Sequence, residues 1–300
     1  MNVIECAGLT KSYRNTKAIK DLSFTIEENK ITGLIGRNGA GKTTLLKTLA
    51  GFYERSSGDI KVFGEEPFNS LKVSSNMIFI DDQMIFPNAL PLVEILECAS
   101  TFYNHWNMKI AKGLFEYFSF HKNQYHNDLS KGMKSTFNMI IGLASRCPLT
   151  IFDEPTTGMD AAVRKDFYRA LLKDYIDHPR TIILSSHLLN EIEDLLEDVL
   201  LLREGTIRLH MPVLDLKEYA VGLLGKMEAI EPLVIDKELF YRESVGINTS
   251  YIVIRNDLND ADRAKILAAG IEIKSVSTND ICVYLTSKTK GGIDDVFNTK

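Results

Sequence analysis

The spacing of apolar and polar positions changes several times along the first two hundred residues, and each change marks an element. Residues 18–28 alternate loosely, as an antiparallel strand with one buried face does. Residues 31–35 form a short, mostly apolar run that ends in a glycine-rich turn. From Thr43 to Leu49 the leucines fall at Leu45, Leu46 and Leu49, one face of a helix, so strand, loop and helix follow one another there. Residues 57–64 predict a turn and another short strand. The stretch from about 88 to 146 reads as mostly helical: Pro91 suits a helix start near 91–102, and two more apolar-periodic segments lie near 108–119 and 133–146. Leu149 to Phe152 is a buried strand that ends in Asp153-Glu154. A helix over 161–176, a strand over 181–184 and a helix over 188–196 come next, and then a hairpin of 198–202 with 206–209 around Glu204-Gly205. Strands alternating with helices predict an α/β core.

Beyond about residue 212 the pattern shifts to strands at 234–241 and 251–255, a helix over 260–269, and strands at 271–276 and 281–285. The expected organisation is a domain of residues 1–212, with a helical part at about 84–146, and a small α+β appendage of residues 213–300. No internal repeat or low-complexity linker interrupts it.

Composition narrows the picture mainly by exclusion. The four cysteines, Cys6, Cys98, Cys147 and Cys282, are far apart, which argues against a zinc site or a disulfide framework and for reduced, buried thiols. A net charge of −5 supplies no general attraction for nucleic acid or an anionic membrane, and no nucleic-acid partner is expected. The first residues lack a basic segment followed by an apolar one, and runs such as 199–202 are too short to span a bilayer. The expectation is a cytoplasmic chain, for which another polypeptide would have to supply any membrane pore.

Chemistry concentrates in two places. Gly36-Arg37-Asn38-Gly39-Ala40-Gly41-Lys42-Thr43 fits G-x-x-x-x-G-K-[ST] at every fixed position, between a strand and a helix as the motif requires. Glycines let the backbone curl until several N–H groups point at phosphate oxygens, and the following helix offers its positive end to the same anion. Lys42 can reach the β- and γ-phosphates, the Thr43 hydroxyl can ligate Mg²⁺, and Thr44 can add a hydroxyl near the α-phosphate. The second place is the strand end: Asp153 has the position of a carboxylate that holds Mg²⁺ through its water shell, and Glu154 that of one that polarises an attacking water.

With these motifs in place, Leu129-Ser130-Lys131-Gly132-Met133 resembles the signature of the ABC ATPase family, usually Leu-Ser-Gly-Gly-Gln. Lys131 and Met133 depart from that pattern, while the serine and second glycine remain. Alone, Ser130 would be a plain helix cap; its place between the phosphate loop and the acidic strand carries the resemblance. The resemblance implies a phosphate-loop cassette with a mixed core sheet, flanking helices, an antiparallel β subdomain and a helical subdomain. It further implies that Ser130, Lys131 and Gly132 close on the γ-phosphate of ATP held by a second cassette, identical or paralogous. His187 resembles the switch histidine that contacts the γ-phosphate, Gly158-Met159-Asp160 the loop that couples the two subunits, and Tyr13 the aromatic that stacks on adenine. The family's glutamine loop falls on Asp81-Asp82-Gln83: Gln83 has the expected residue type and Asp82 the expected position, and either would reach Mg²⁺ and its water. Phe86, Pro87, Leu90 and Leu92 lie where the family grips its membrane subunit.

Phe102-Tyr103-Asn104-His105-Trp106 resembles a bacterial exporter-type branch, akin to the ABC-2 systems, whose members pair with separate permease subunits. Together these resemblances imply an ATPase with ATP and Mg²⁺ as cofactors, peripheral at the cytoplasmic face of the membrane, driving transport and most readily export. The competing reading is a soluble ABC ATPase of translation or DNA maintenance. One phosphate loop, no long heptad insertion and no zinc cysteines weigh against it. An inactive nucleotide-binding regulator is disfavoured because Lys42, Asp153, Glu154 and His187 are all present.

Overall fold

A computed structural model describes residues 1–246 and 248–287. The elements are β1 (Asn2–Tyr13), β2 (Thr16–Glu27), β3 (Ile31–Ile35), α1 (Lys42–Leu49), β4 (Ser57–Val62), α2 (Leu71–Ser75), β5 (Met77–Ile80), α3 (Leu92–Phe102), α4 (Met108–Tyr117), α5 (Lys131–Ser145), β6 (Leu149–Asp153), α6 (Ala161–Asp177), β7 (Thr181–Ser186), β8 (Asp198–Arg203) and β9 (Thr206–Pro212). They are followed by α7 (Val213–Lys217), β10 (Ala220–Gly225), α8 (Met227–Val234), β11 (Leu239–Ser244), β12 (Ser250–Arg255), α9 (Asp260–Ala268), β13 (Glu272–Ser275) and α10 (Thr278–Thr286). The chain divides into two compact units, Met1–His210 and Met211–Lys300.

The first unit is built on a six-stranded sheet in the order β5-β6-β7-β3-β8-β9, with β5, β6, β7, β3 and β8 parallel. Every residue of β3, β6 and β7 is buried, as expected of parallel strands covered on both faces. Register sets the site: Ile35 lies beside Ser186, and Asp153 beside Ser185, so the carboxyl ends of β3, β6 and β7 stand next to one another. Loops leaving adjacent parallel strands at this end are where open α/β sheets bind ligands. A separate antiparallel sheet, β2-β1-β4, shares one apolar core with α1 through Ile4, Leu9, Ile19, Leu22, Leu45 and Leu46. The helices α3, α4 and α5 form the helical part, where Phe115, Phe120 and Phe137 meet ring to ring.

The second unit orders its strands β11-β12-β10-β13, all pairs antiparallel, with α8 and α9 in the connections. This is the split β-α-β-β-α-β arrangement. Val221, Leu223, Ile230, Ile252, Ile254 and Ile266 make its core.

The structure differs from the sequence expectations at several points. Residues 188–196 are two 3-10 turns, Leu189–Glu191 and Glu193–Leu195, instead of a helix. The tighter winding goes with two anchors: Glu191 pairs with Arg164, and Leu196 packs so near Gly33 that a Cβ there would meet it at 2.3 Å. The strand expected at 234–241 begins only at Leu239, because Met227, Ile230 and Val234 fall on helical spacing and belong to α8. The strand expected at 281–285 is instead α10, whose start is set by Ser277, the side chain accepting from the Asp280 N–H at 3.0 Å. The hydrophobic pattern does not announce β1, α2, α7, β10 or α8. Cys6, Cys147 and Cys282 are buried, but Cys98 is exposed on α3. Burial pushes the Cys6 thiol up to about 12 and the Cys147 thiol to about 11. Among the described residues no helix is long and apolar enough to cross a membrane.

Candidate functional site

The turn between β3 and α1 owes its shape to its glycines. Gly39 and Gly41 have φ of 81° and 105°, and a Cβ on Gly41 would lie 2.7 Å from the Ala18 carbonyl oxygen. The loop is pinned from outside as well, since the Gly205 N–H donates to the Ala40 carbonyl at 2.9 Å. Ala18, residues 37–44 and Glu154 line a cavity of about 250 Å³. Lys42 is 6 % exposed; its Nζ donates to the Gly36 carbonyl at 2.6 Å and lies 3.1 Å from Glu154 Oε1.

The tips of β6 and β7 face this cradle. Ser185 connects the two acids: its Oγ donates to Asp153 Oδ1 at 2.6 Å and accepts from the Glu154 N–H at 2.9 Å. Asp153 is buried, and burial raises its pKa against the opposing hydrogen bonds from Ser185 and Thr43. Glu154 has φ of 47°, a conformation that costs energy in a non-glycine residue and turns its side chain toward the cradle. His187 Nδ1 lies 2.9 Å from Glu154 Oε2. One carboxylate thus joins the phosphate-loop lysine to the histidine, in a cluster assembled from three strand ends.

The hydroxyl of Thr43 and the carboxylate of Asp153 are hydrogen-bonded partners and hard oxygen donors, a set that suits Mg²⁺. Among the described residues no group of three His, Cys, Asp or Glu side chains forms a protein-only metal cage. A cation here would complete its shell with phosphate and water oxygens, the habit of Mg²⁺.

Neither Asp82 nor Gln83 lines the phosphate cavity. Asp82 pairs with Lys131 at 3.2 Å, while the Gln83 N–H donates to Asp81 Oδ1. Gln83 borders a different cavity, of about 520 Å³, with Lys47, Phe52, Phe79, Asp81, Met84 and Tyr103. Of the residues expected to grip a membrane subunit, Leu92 is fully buried and Phe86 packs on His126 and Phe137. Pro87 is exposed and Leu90 half-buried; Ile85, which the hydrophobic pattern does not single out, is 83 % exposed.

The signature segment opens α5. Ser130 Oγ accepts from the Met133 N–H at 3.3 Å, and Gly132 abuts Gly158. Ser135 Oγ donates to the Thr157 carbonyl, and Asp160 caps α6 by accepting from Ala162 and Val163, so signature and coupling loop interlock. Tyr13 lies edge-on to Tyr53 at 5.9 Å, is hydrogen-bonded to Thr44 and has Lys11 Nζ 5.3 Å from its ring centroid. Arg37 and Asn38 are exposed at the loop tip. Ser185, Ala18 and Lys47 escape the sequence motifs; only Ser185 has a local signal, its place two residues before His187.

Residues 19–157 match the family described as "ABC transporter". Over 85 % of its length the chain is 29 % identical to the ABC transporter ATP-binding protein YtrB of Bacillus subtilis, of which it covers 88 %. It is 31 % identical to the bacitracin transport ATP-binding protein BcrA of Bacillus licheniformis, with 72 % of each chain covered. The fold is shared with the ATP-binding cassette MJ0796, solved as a dimer in a post-hydrolysis state bound to ADP and Pi. There the TM-score is 0.62 at 19 % identity, over 70 % of this chain and 98 % of that one.

Proposed function

This chain belongs to the ABC transporter family as an ATP-binding, ATP-hydrolysing subunit, and we propose that its hydrolytic centre is the Lys42–Glu154–His187 cluster. The observation that carries this reading is the Glu154 carboxylate, 3.1 Å from Lys42 Nζ and 2.9 Å from His187 Nδ1, at the rim of the phosphate-loop cavity. Lys42 is paired with Glu154 at 3.1 Å. A triphosphate in the cradle offers Lys42 a stronger anion and frees the carboxylate to accept a proton from water. His187 then holds Glu154 in place and faces the γ-phosphate. Mg²⁺, held by Thr43 and through water by Asp153, would neutralise charge on the phosphate oxygens. Tyr13, beside Thr44, offers a ring face for adenine.

Ser130, Lys131, Gly132 and Asp160 serve a nucleotide held by a second cassette, identical or paralogous. The packing of Gly132 on Gly158 and the Ser135–Thr157 hydrogen bond, which tie the signature to the loop carrying Asp160, support this. The cavity beside Phe52, Phe79, Met84 and Tyr103 is the docking place for a permease subunit: it combines the exposed ring of Phe52 and the half-buried Phe79 and Tyr103 with the Lys47–Asp81 pair at 3.2 Å. Through that subunit the chain sits at the cytoplasmic face of the membrane. A likeness to the SkfA peptide export ATP-binding protein SkfE of Bacillus subtilis, 28 % identical over 75 % of this chain and 98 % of that one, supports export as the direction. The second unit is an accessory domain.

The test is Glu154→Gln, which keeps size and hydrogen bonding but removes the base. Hydrolysis should fall by about 10²-fold or more, while labelled ATP still binds and ATP-dependent dimers accumulate. Turnover at the wild-type rate would remove Glu154 from the role assigned to it.

A further inference from the structure

One of the two departures in the signature meets the departure in the glutamine loop in space. Lys131 stands where the family has glycine, Asp82 at the position of the family's glutamine, and Lys131 Nζ lies 3.2 Å from Asp82 Oδ2. Lys131 is the first residue of α5, where exposed N–H groups already carry positive partial charge, and no acidic residue occupies that first turn. A cation is misplaced there unless an anion faces it. The stem of Lys131 passes over the coupling loop, its Cγ close enough that a Cβ on Gly158 would meet it at 3.2 Å. The ammonium is therefore carried at the junction of signature, coupling loop and glutamine loop. Its side chain remains 61 % exposed, and that of Asp82 38 %.

We propose that Lys131 is an exchangeable phosphate ligand: Asp82 of the same chain holds it in the free subunit and gives it up to the γ-phosphate of ATP bound on the second cassette. This rests on the two-cassette reading of the proposed function. The exchange follows from charge. A terminal phosphate with its neighbours presents more negative charge than one carboxylate, and the helix end adds to its attraction. The resting pair is solvated and worth little, so it delays closure without preventing it. Asp82 thereby becomes a counter-ion that competes with nucleotide, which accounts for an acid standing where the family has glutamine and for its absence from the phosphate cavity.

The experiment uses the full chain carrying Glu154→Gln and measures, by sedimentation, the ATP concentration that half-saturates dimer formation. Asp82→Asn should lower that concentration about two- to fivefold, the range of an exposed ion pair. Lys131→Gln should raise it, and Asp82→Asn added to Lys131→Gln should then change nothing. An equal Asp82→Asn effect with and without Lys131, or none in either background, would overturn the exchange. If the Glu154→Gln parent forms no ATP-dependent dimer, the two-cassette reading fails and the exchange with it, an outcome distinct from the loss of coupling alone. A second measurement needs no change at these positions. A carbodiimide that joins only touching amines and carboxylates should couple Lys131 to Asp82 in the nucleotide-free protein, and ATP should suppress that product. Coupling that ATP leaves unchanged would count against the proposal.

Discussion

Gly132 and Gly158 touch where the first turn of α5 meets the coupling loop, and a Cβ on Gly132 would stand 2.3 Å from the Gly158 carbonyl oxygen. That atom belongs to the backbone, so the loop itself would have to move. Gly132→Ala should therefore lower stability by about 1–3 kcal/mol and reduce hydrolysis further than ATP binding; thermal unfolding, turnover and nucleotide titration measure the three. Lys42 is the opposite case, a side chain defined by its partners. Lys42→Ala leaves the Glu154 carboxylate without its cation and the cradle without its ammonium. ATP affinity should fall roughly 10- to 100-fold, the range for hydrogen bonds to charged groups, and equilibrium binding of labelled ATP would expose any smaller effect. At this scale the sequence is informative about Lys42, because the phosphate-loop spacing acts within one turn of chain. It is silent about Gly132 meeting Gly158, which depends on how α5 lies against the loop before α6.

Among the elements α5 ties the signature to the coupling loop and to the loop after β5. Ser130 caps it, and every residue from Ser135 to Ser145 is buried. Its Asn138 connects two distant groups, Oδ1 lying 2.9 Å from His126 Nε2 while Nδ2 donates to the Asp81 carbonyl at 3.2 Å. Burial holds the pKa of His126 below its ordinary value, and Lys134 adds to that shift. A histidine whose folded pKa lies below the unfolded one contributes stability above the unfolded value and loses it as pH falls through the folded value. Melting temperature should consequently drop as pH falls below about 6.5, and His126→Gln should flatten part of that drop; parallel curves for the two proteins would contradict the assignment. Elements also show where pattern reading fails. The run Ile281-Cys282-Val283-Tyr284-Leu285 looks like a strand from its residue types, yet it is helical behind the Ser277 cap. Conversely, β1 pairs with two strands, but its register shifts break the alternation that would have revealed it.

For the whole molecule, the phosphate loop, both acids, His187, the signature and Tyr13 all lie within Met1–His210, and that unit has its own core. A chain shortened to residues 1–212 should keep β9, fold cooperatively and bind ATP with near-full affinity, as calorimetry and nucleotide titration would show. Loss of ATP binding in a folded product would give the second unit a part in the site. The sequence by itself determined the local chemistry: the curl of the phosphate loop, the strand that ends in two acids, the order of motifs that marks the family, and the change of pattern near residue 212. Each depends on neighbours in the chain or on short-range periodicity, and those are written in one dimension. Only the tertiary structure decided that Ser185 aligns both acids, that Glu154 bridges Lys42 and His187, and that Asp82 faces Lys131 instead of the phosphate cavity. Those contacts depend on the register of β6 and β7 and on where α5 packs, which many distant apolar residues set together.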